Sequence, residues 1–365
     1  MVRERTEAVA GREDAVVFVG DGEPSTPLKL ARRIEALAQA GRIEPDDYSR
    51  GGSVEALERA WADLLGKEAA VWLPTGTLAN QLAVRRLCGP RSRVLVPERS
   101  HLYHDEGDAL QRLSGIAVVP FAPGRVACSL EELRAHLDEA EQGRVLNPVG
   151  ALVMESPMRR LAGQVVPFAD LEALTALCHE RGVGTHLDGA RLFMMSAATG
   201  VAARRYAELF DTVYVSLWKY LPAPFGAILA GPAALLDGLF HERRMFGGGL
   251  PSAALAAALA LDGMPGLEAR HAEVMTRGRE LCARLEAVPG LDPRPFEHGS
   301  NIVPLHLETG IDPSRFTGRL LEDGIVVADH AEAWDAVLLT FNPTLLRRPV
   351  EALAESFEAA AGVAR

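Results

Sequence analysis

The chain has 365 residues, 48% of them hydrophobic and 24% charged, enough for a large core and two subdomains. Its formal net charge of −11, with no long basic tract, argues against nucleic acid or an anionic membrane as the main partner, since both select a basic face. The N-terminal "MVRERTEAVAGRED" lacks the apolar segment of a secretory signal, and the longest apolar helical run, "AALAAALAL" (Ala253 to Leu261), is far too short to span a bilayer.

In chain order, "DAVVFVGDGEPSTP" reads as a short strand entering a turn, and "LKLARRIEALAQA" as a helix with apolar residues at helical spacing. In "YSRGGSVEALERAWADLLGKEAAVWLPTG", Ser53 is expected to cap an amphipathic helix, Lys67 lies at its polar end, and "AAVWL" is a buried strand. "TGTLANQLAVRRLC" opens a new helix directly after it. Alternation continues with "RVLVP" (strand), "EGDALQRLSG" (helix), "IAVVPF" (strand), "SLEELRAHLDEAEQ" (helix capped by Ser129) and "GALVMES" (strand). "FADLEALTALCHERG" is a helix with His179 near its C-terminus, "GTHLDGA" a strand end, "AELF" a short helix, and "DTVYVSL" and "GAILAGP" strands. Such repeated units predict an α/β fold with a mainly parallel sheet covered by helices. Beyond the helix 252–262, the long amphipathic "EARHAEVMTRGRELCARLEAV" precedes "NIVPLHLE", "GIVVAD" and "AVLLTF", strands of a smaller α+β domain. The expected division is an N-terminal segment 1–45, a large domain 46–266 and a small domain 267–365. The four cysteines, Cys88, Cys128, Cys178 and Cys282, form no CxxC pair, which favours free thiols in a reducing cytoplasm over disulfides or zinc.

Four features fall where ligands gather in open α/β sheets, at the carboxyl ends of strands. "PTGTLAN" sets Gly76 between Thr75 and Thr77 at a strand-to-helix turn, which is either a phosphate site or a simple capped helix. "THLDGARL" ends a strand at Asp188, a carboxylate that could orient a cation, bind a metal or cap a turn. In "HLYHDEGD", His101 could be an aromatic platform or a base; the His101, His104, Asp105 and Glu106 spacing fits no standard metal set, so no metal is expected. In "VSLWKYLPAPFG", Lys219 sits between two aromatics in an apolar run, with no neighbouring carboxylate in the sequence.

The order of these features matches the anatomy of a pyridoxal-phosphate (PLP) enzyme. PLP requires a lysine for a Schiff base, a carboxylate for the pyridine nitrogen, an aromatic ring over the cofactor and a phosphate cup. Burial lowers a lysine pKa and favours the neutral, nucleophilic amine, which gives Lys219 a reason to be there.

The blocks "GGSVEALERAWADLLGKEAAVWLPTGTLANQLAV", "HLDGARLF", "SLWKYLPAPFGAILAG" and "RRMFGGGL" together resemble the β-eliminating lyase and threonine aldolase family of PLP enzymes, from about Tyr48 to Leu250. The resemblance implies the aspartate-aminotransferase fold: a large PLP-binding domain and a smaller C-terminal one. By position, Lys219 resembles the Schiff-base lysine, Asp188 the partner of the pyridine nitrogen and His101 the stacking ring. Gly76 and Thr77 resemble the phosphate cup, Arg191 the arginine beside the cofactor, and Ser216 a further cofactor contact. Arg243 or Arg244 resembles the basic residue that reaches phosphate across a subunit interface, which implies a homodimer or homotetramer with shared sites.

The substrate side departs from the family. Its N-terminal "RSD" reads "VGD" here, with Gly20 in the serine position, and its late "RxVTH" reads "VLLTF", with Val337 in place of arginine. Loss of a bidentate guanidinium is not conservative. Around "VLNPVGALVMES" no counterpart exists to the histidine that some aldolases place near the substrate hydroxyl. Arg50, Arg160 and Tyr48 are the candidate substrate residues. The expected activity is cleavage of a bond at Cβ of an amino acid, by retro-aldol reaction or β-elimination. Transamination, racemisation and condensation are alternatives on the same scaffold, as is a PLP-binding protein without turnover.

Overall fold

The apolar runs of the central chain form one seven-stranded sheet in the computed structural model, which describes residues 2–9 and 11–365. In chain order its strands are β1 (Ala69–Leu73), β2 (Arg93–Pro97), β3 (Ala117–Phe121), β4 (Val149–Glu155), β5 (Gly184–Asp188), β6 (Thr212–Ser216) and β7 (Ala227–Gly231). The spatial order is β1-β7-β6-β5-β4-β2-β3. All neighbours are parallel except that β7 runs antiparallel to both β1 and β6. Every residue of β4, β6 and β7 is buried, as expected for strands covered on both faces.

The chain divides into two units, one of residues 33–192 with 201–264, the other of residues 1–32 with 193–200 and 265–365. In the first unit, the helix Leu130–Gln142 begins with the expected Ser129 cap, reinforced by Glu132 in a full capping box. The Ser53 expectation is corrected. Gly51 is the N-cap of the helix Gly52–Leu65, and Ser53 turns its Oγ back to accept from the Glu44 N–H at 2.9 Å. The reason lies in "RGGS": Gly51 and Gly52 both have positive φ (75° and 52°), and a Cβ on Gly52 would meet the Pro45 carbonyl oxygen at 2.2 Å. The single helix expected in "EGDALQRLSG" is also shorter. It spans Ala109–Ser114, and a separate turn of helix, His101–His104, precedes it.

The second unit holds an antiparallel sheet in the order His330–Ala331, Ala336–Thr340, Ile302–Leu307, Leu291–Pro293, with the pair Val16–Val17 and Ile325–Val326 beside it as a separate parallel ladder. Its core centres on Phe18, Phe316, Phe341 and Phe357, all buried. The rings of Phe18 and Phe357 meet edge to face at 5.7 Å. Val337 is fully buried in this core, and the Gly20 carbonyl accepts from Asn342 Nδ2 at 3.2 Å. Among the described residues no helix is long and apolar enough to cross a membrane.

Candidate active site

In a parallel sheet all strand carboxyl ends lie at one edge, and here that edge gathers polar groups that the apolar strands cannot satisfy. β4 and β5 end in register, Glu155 opposite Asp188, and Asp188 is in turn opposite Tyr214 of β6. Both carboxylates are buried. Glu155 is pushed up to about 7, first by burial and then by the charge of Asp188. Its two oxygens accept backbone N–H groups from flanking segments, His101 at 2.5 Å and Arg159 at 3.0 Å. Glu155 thereby fixes where the His101 turn begins.

The His101 imidazole is half-buried, and its Nδ1 lies 3.2 Å from Glu106 Oε1. That hydrogen bond is the main reason its pKa is raised, against burial, with Asp188 and Glu155 adding to it. Glu106, also buried, accepts from Asn80 Nδ2 at 2.8 Å and Gln81 Nε2 at 2.6 Å. Asn80 Nδ2 donates a second time, to Asp188 Oδ2 at 3.0 Å, while Asp188 Oδ1 accepts from the Ala190 N–H at 3.2 Å. Behind Asn80, its Oδ1 faces His186 Nε2 at 3.0 Å, and His186 Nδ1 faces Thr212 Oγ1 at 2.8 Å. Burial holds His186 down at about 4, so this imidazole is neutral. It therefore donates to Asn80 through Nε2–H and accepts the Thr212 hydroxyl proton.

β6 ends at the buried Ser216, and Lys219 follows in a tight turn closed by N–H groups of Tyr220 and Leu221 on the Leu217 carbonyl (3.1 and 2.9 Å). Lys219 is half-buried, its Nζ 5.7 Å from the centre of the Trp218 ring. Ser216 Oγ is buried with no partner in hydrogen-bond geometry, although close enough to the Tyr214 hydroxyl to influence its ionisation. Gly76 opens the helix Gly76–Cys88, whose N-cap Thr75 accepts from the Leu78 N–H through Oγ1 at 3.2 Å. The Gly76 and Thr77 N–H groups are first-turn donors with no intrahelical acceptor. A Cβ on Gly76 would lie 1.9 Å from the Tyr214 hydroxyl oxygen, so only glycine fits. Gly248 of the "GGG" run likewise leaves room for Leu78 in the same turn, where its Cβ would come within 2.5 Å.

The remaining expected residues are placed differently. Arg191 is half-buried just beyond the Asp188 turn. Arg243 is buried and donates to the Trp72 and Ser49 carbonyls at 2.5 and 2.7 Å, with Glu58 at 3.8 Å. Arg244 is exposed and stacks on Tyr48, 4.1 Å from the ring centre. Arg50 stacks on Phe240 at 4.5 Å, beside a cavity of about 570 Å³ that Arg243 and Glu58 also line. Arg160 is engaged by Asp105 through two bonds, 2.7 and 3.3 Å long.

Sequence reasoning gave no role to Asn80, Glu155 or Tyr214, took Thr75 as part of the turn that is either a phosphate site or a capped helix, and considered Glu106 only for metal. The available signal was polarity at buried positions. Asn80 and Gln81 interrupt the buried face of a helix, and Glu155 ends a strand whose every residue is buried.

A family model described as "Beta-eliminating lyase" matches residues 31–308. The low-specificity L-threonine aldolase of Saccharomyces cerevisiae is 32% identical over 233 residues, covering 63% of this chain and 59% of that enzyme. An aldolase of Penicillium aethiopicum is 31% identical over 319 residues, 84% of this chain and 78% of its own. A Listeria monocytogenes protein assigned as an L-allo-threonine aldolase has a solved structure that matches with a TM-score of 0.79 at 25% identity, over 99% of this chain and 100% of that one. The matched region thus spans about three fifths of the length of the yeast enzyme.

The residues present suit PLP: a lysine at a strand end, a buried carboxylate, a buried hydroxyl without a partner, and helix N–H donors for a phosphate. The chain belongs to the β-eliminating lyase family, the pyridoxal-phosphate-dependent lyases that include the threonine aldolases.

Proposed function

We propose that this chain cleaves a β-hydroxy-α-amino acid between Cα and Cβ, with Lys219 as the residue that anchors PLP. The observation that carries this reading is the placement of Asp188 at the end of β5 and of Lys219 just beyond the end of the adjacent β6, in a register that sets Asp188 against Tyr214. PLP, when bound, supplies the electron sink that cleavage at Cβ needs. Asp188 holds the proton of the ring nitrogen, and the Gly76 and Thr77 N–H groups with Ser216 Oγ hold the phosphate side. Arg191, whose charge acts on Tyr214, would support that side. The His101 ring would cover the cofactor face. With Nδ1 given to Glu106, its Nε2 is the nitrogen available for the β-hydroxyl proton of the substrate.

Gly20 has no side chain and Val337 is buried and apolar, so neither can hold the substrate carboxylate. Of the two candidate arginines, Arg160 is committed to Asp105, whereas Arg50 is exposed and meets only an aromatic face in its described contacts, with Tyr48 two residues away. Arg50 is therefore the better supported. Arg243 is spent on carbonyls of its own chain, which leaves Arg244 as the residue to reach a partner's phosphate. Tyr48 and Met245, 42% and 64% exposed, flank Arg244 on a surface suited to a second copy, so we place the active form as a homodimer or homotetramer. The four free cysteines suit a cytoplasmic enzyme.

The test is the Lys219→Ala variant with added PLP. The wild type is expected to develop a visible absorbance band and turn over substrate, and the variant to lose both. A variant that keeps either at the wild-type level removes Lys219 from this role.

A further inference from the structure

We propose that Asn80 is a positioning residue that holds the Asp188 carboxylate and the Glu106–His101 pair in one fixed arrangement. The inference rests on the proposed function, in which Asp188 and His101 flank the cofactor.

An amide NH2 has two protons, and Asn80 gives one to each of two carboxylates, Glu106 Oε1 at 2.8 Å and Asp188 Oδ2 at 3.0 Å. The orientation of the amide is dictated from both sides. Two carboxylates require the NH2 on one side, and the Nε2–H of neutral His186 requires the carbonyl oxygen on the other. The chain of donors runs one way: Thr212 hydroxyl to His186, His186 to Asn80, and Asn80 to both carboxylates. Asn80, His186 and Thr212 are fully buried, so no water competes for these bonds.

Glu106 and Asp188 are thus cross-linked by a group that carries no charge of its own. A lysine or arginine there would neutralise them, and an apolar residue would leave two buried carboxylates facing each other without a donor. The amide leaves Asp188 negative while fixing where its charge points. The same bond holds the carboxylate that receives His101 Nδ1. The titratable groups around this amide are Glu106, His101, Glu155, His186, Asp188 and Tyr214, the pair His186 and Asp188 from one strand and the rest from four other segments.

The sign of the expected change follows from the dipole. The NH2 presents its positive end to the cofactor side. Removing it makes the local potential more negative, which favours the protonated form of the Lys219-bound cofactor. Asn80→Ala removes the dipole. Asn80→Asp, nearly the same shape, takes up a proton between the two buried carboxylates and so keeps one donor of the two.

The experiment is a pH titration of the visible band of the PLP-loaded wild type and of both variants, with cofactor affinity measured for the alanine variant. The band's pH midpoint is expected to rise in both, less in Asn80→Asp than in Asn80→Ala, and Asn80→Ala is expected to bind PLP about tenfold more weakly. Asn80→Ser stands in if the alanine variant does not fold, with a shift of the same sign. A merely structural amide would lower stability without ordering the midpoints by the number of donors kept. Midpoints unchanged from a wild type that shows the band overturn the positioning role alone. A wild type with no band that depends on Lys219 overturns the proposed function, and this inference with it.

Discussion

Gly76→Ala tests the proposed phosphate cup directly. The residue is not in the left-handed region, so the backbone accepts alanine and only space opposes it. The new Cβ would stand 1.9 Å from the Tyr214 hydroxyl oxygen and 2.2 Å from Cζ. Ordinary contact begins near 3.4 Å, so the hydroxyl oxygen would have to retreat by about 1.5 Å (3.4 − 1.9) and Cζ by about 1.2 Å (3.4 − 2.2). The ring has little room to do so, because Tyr214 is 5% exposed in a strand paired on both sides, with Asp188 and with Leu229. Overpacking of this kind costs about 1–3 kcal/mol, and the geometry puts this case near about 3 kcal/mol. The alternative, a shift of the helix start, displaces the N–H groups at Gly76 and Thr77 and weakens PLP binding instead.

Chemical unfolding and a PLP titration of the same sample separate the two responses. Tyr214→Phe should not rescue Gly76→Ala, because Cζ remains where the Cβ must go. Tyr214→Leu removes the ring, and the double variant should be less destabilised than the sum of the single changes. Gly76→Ala with wild-type stability and wild-type PLP affinity would refute this reasoning, as would full rescue by Tyr214→Phe.

Two further predictions concern pH. Burial raises Glu58 from 4.5 to about 7, despite the Trp72 N–H and Arg243 that favour its charge. A raised carboxyl pKa means the folded state holds its proton longer. Its contribution is therefore complete below about 4.5 and is lost as pH rises through about 7. Glu58→Gln should flatten the fall in unfolding free energy across that window by about 3 kcal/mol, measured by urea titration. The Glu106 hydrogen bond raises the His101 pKa, so a base at His101 works only above that raised value. Glu106→Gln should move the acidic limb of the turnover profile to lower pH. A limb that stays in place removes His101 as the base.

Much of the large unit was legible because its signals are local. Each strand is a short apolar run, each helix repeats at helical spacing, and Ser129 caps by contacts within four residues. Asp188 and Lys219 stood out as charges at the ends of such runs. The failures involve partners distant in sequence. Ser53 has the composition of a cap, but its hydroxyl is claimed by Glu44 across the two glycines. The helix Val350–Ala364 went unassigned, because its buried Leu353 and Phe357 join a core assembled from segments more than 300 residues apart. Arg243 and Arg244 are adjacent and chemically identical, yet one is buried on the Trp72 and Ser49 carbonyls and the other lies on the surface. Asn80 shows the limit most clearly. Its three partners come from β5 and the segment after β2, and nothing near it in sequence marks it as a junction.

The most direct test of the whole account is product analysis of the PLP-loaded protein with L-threonine and with L-allo-threonine. The account predicts glycine and acetaldehyde in equal amounts at a catalytic rate from at least one of them, abolished in Lys219→Ala. A protein that binds PLP through Lys219 yet releases no glycine from either would contradict cleavage between Cα and Cβ of these β-hydroxy amino acids.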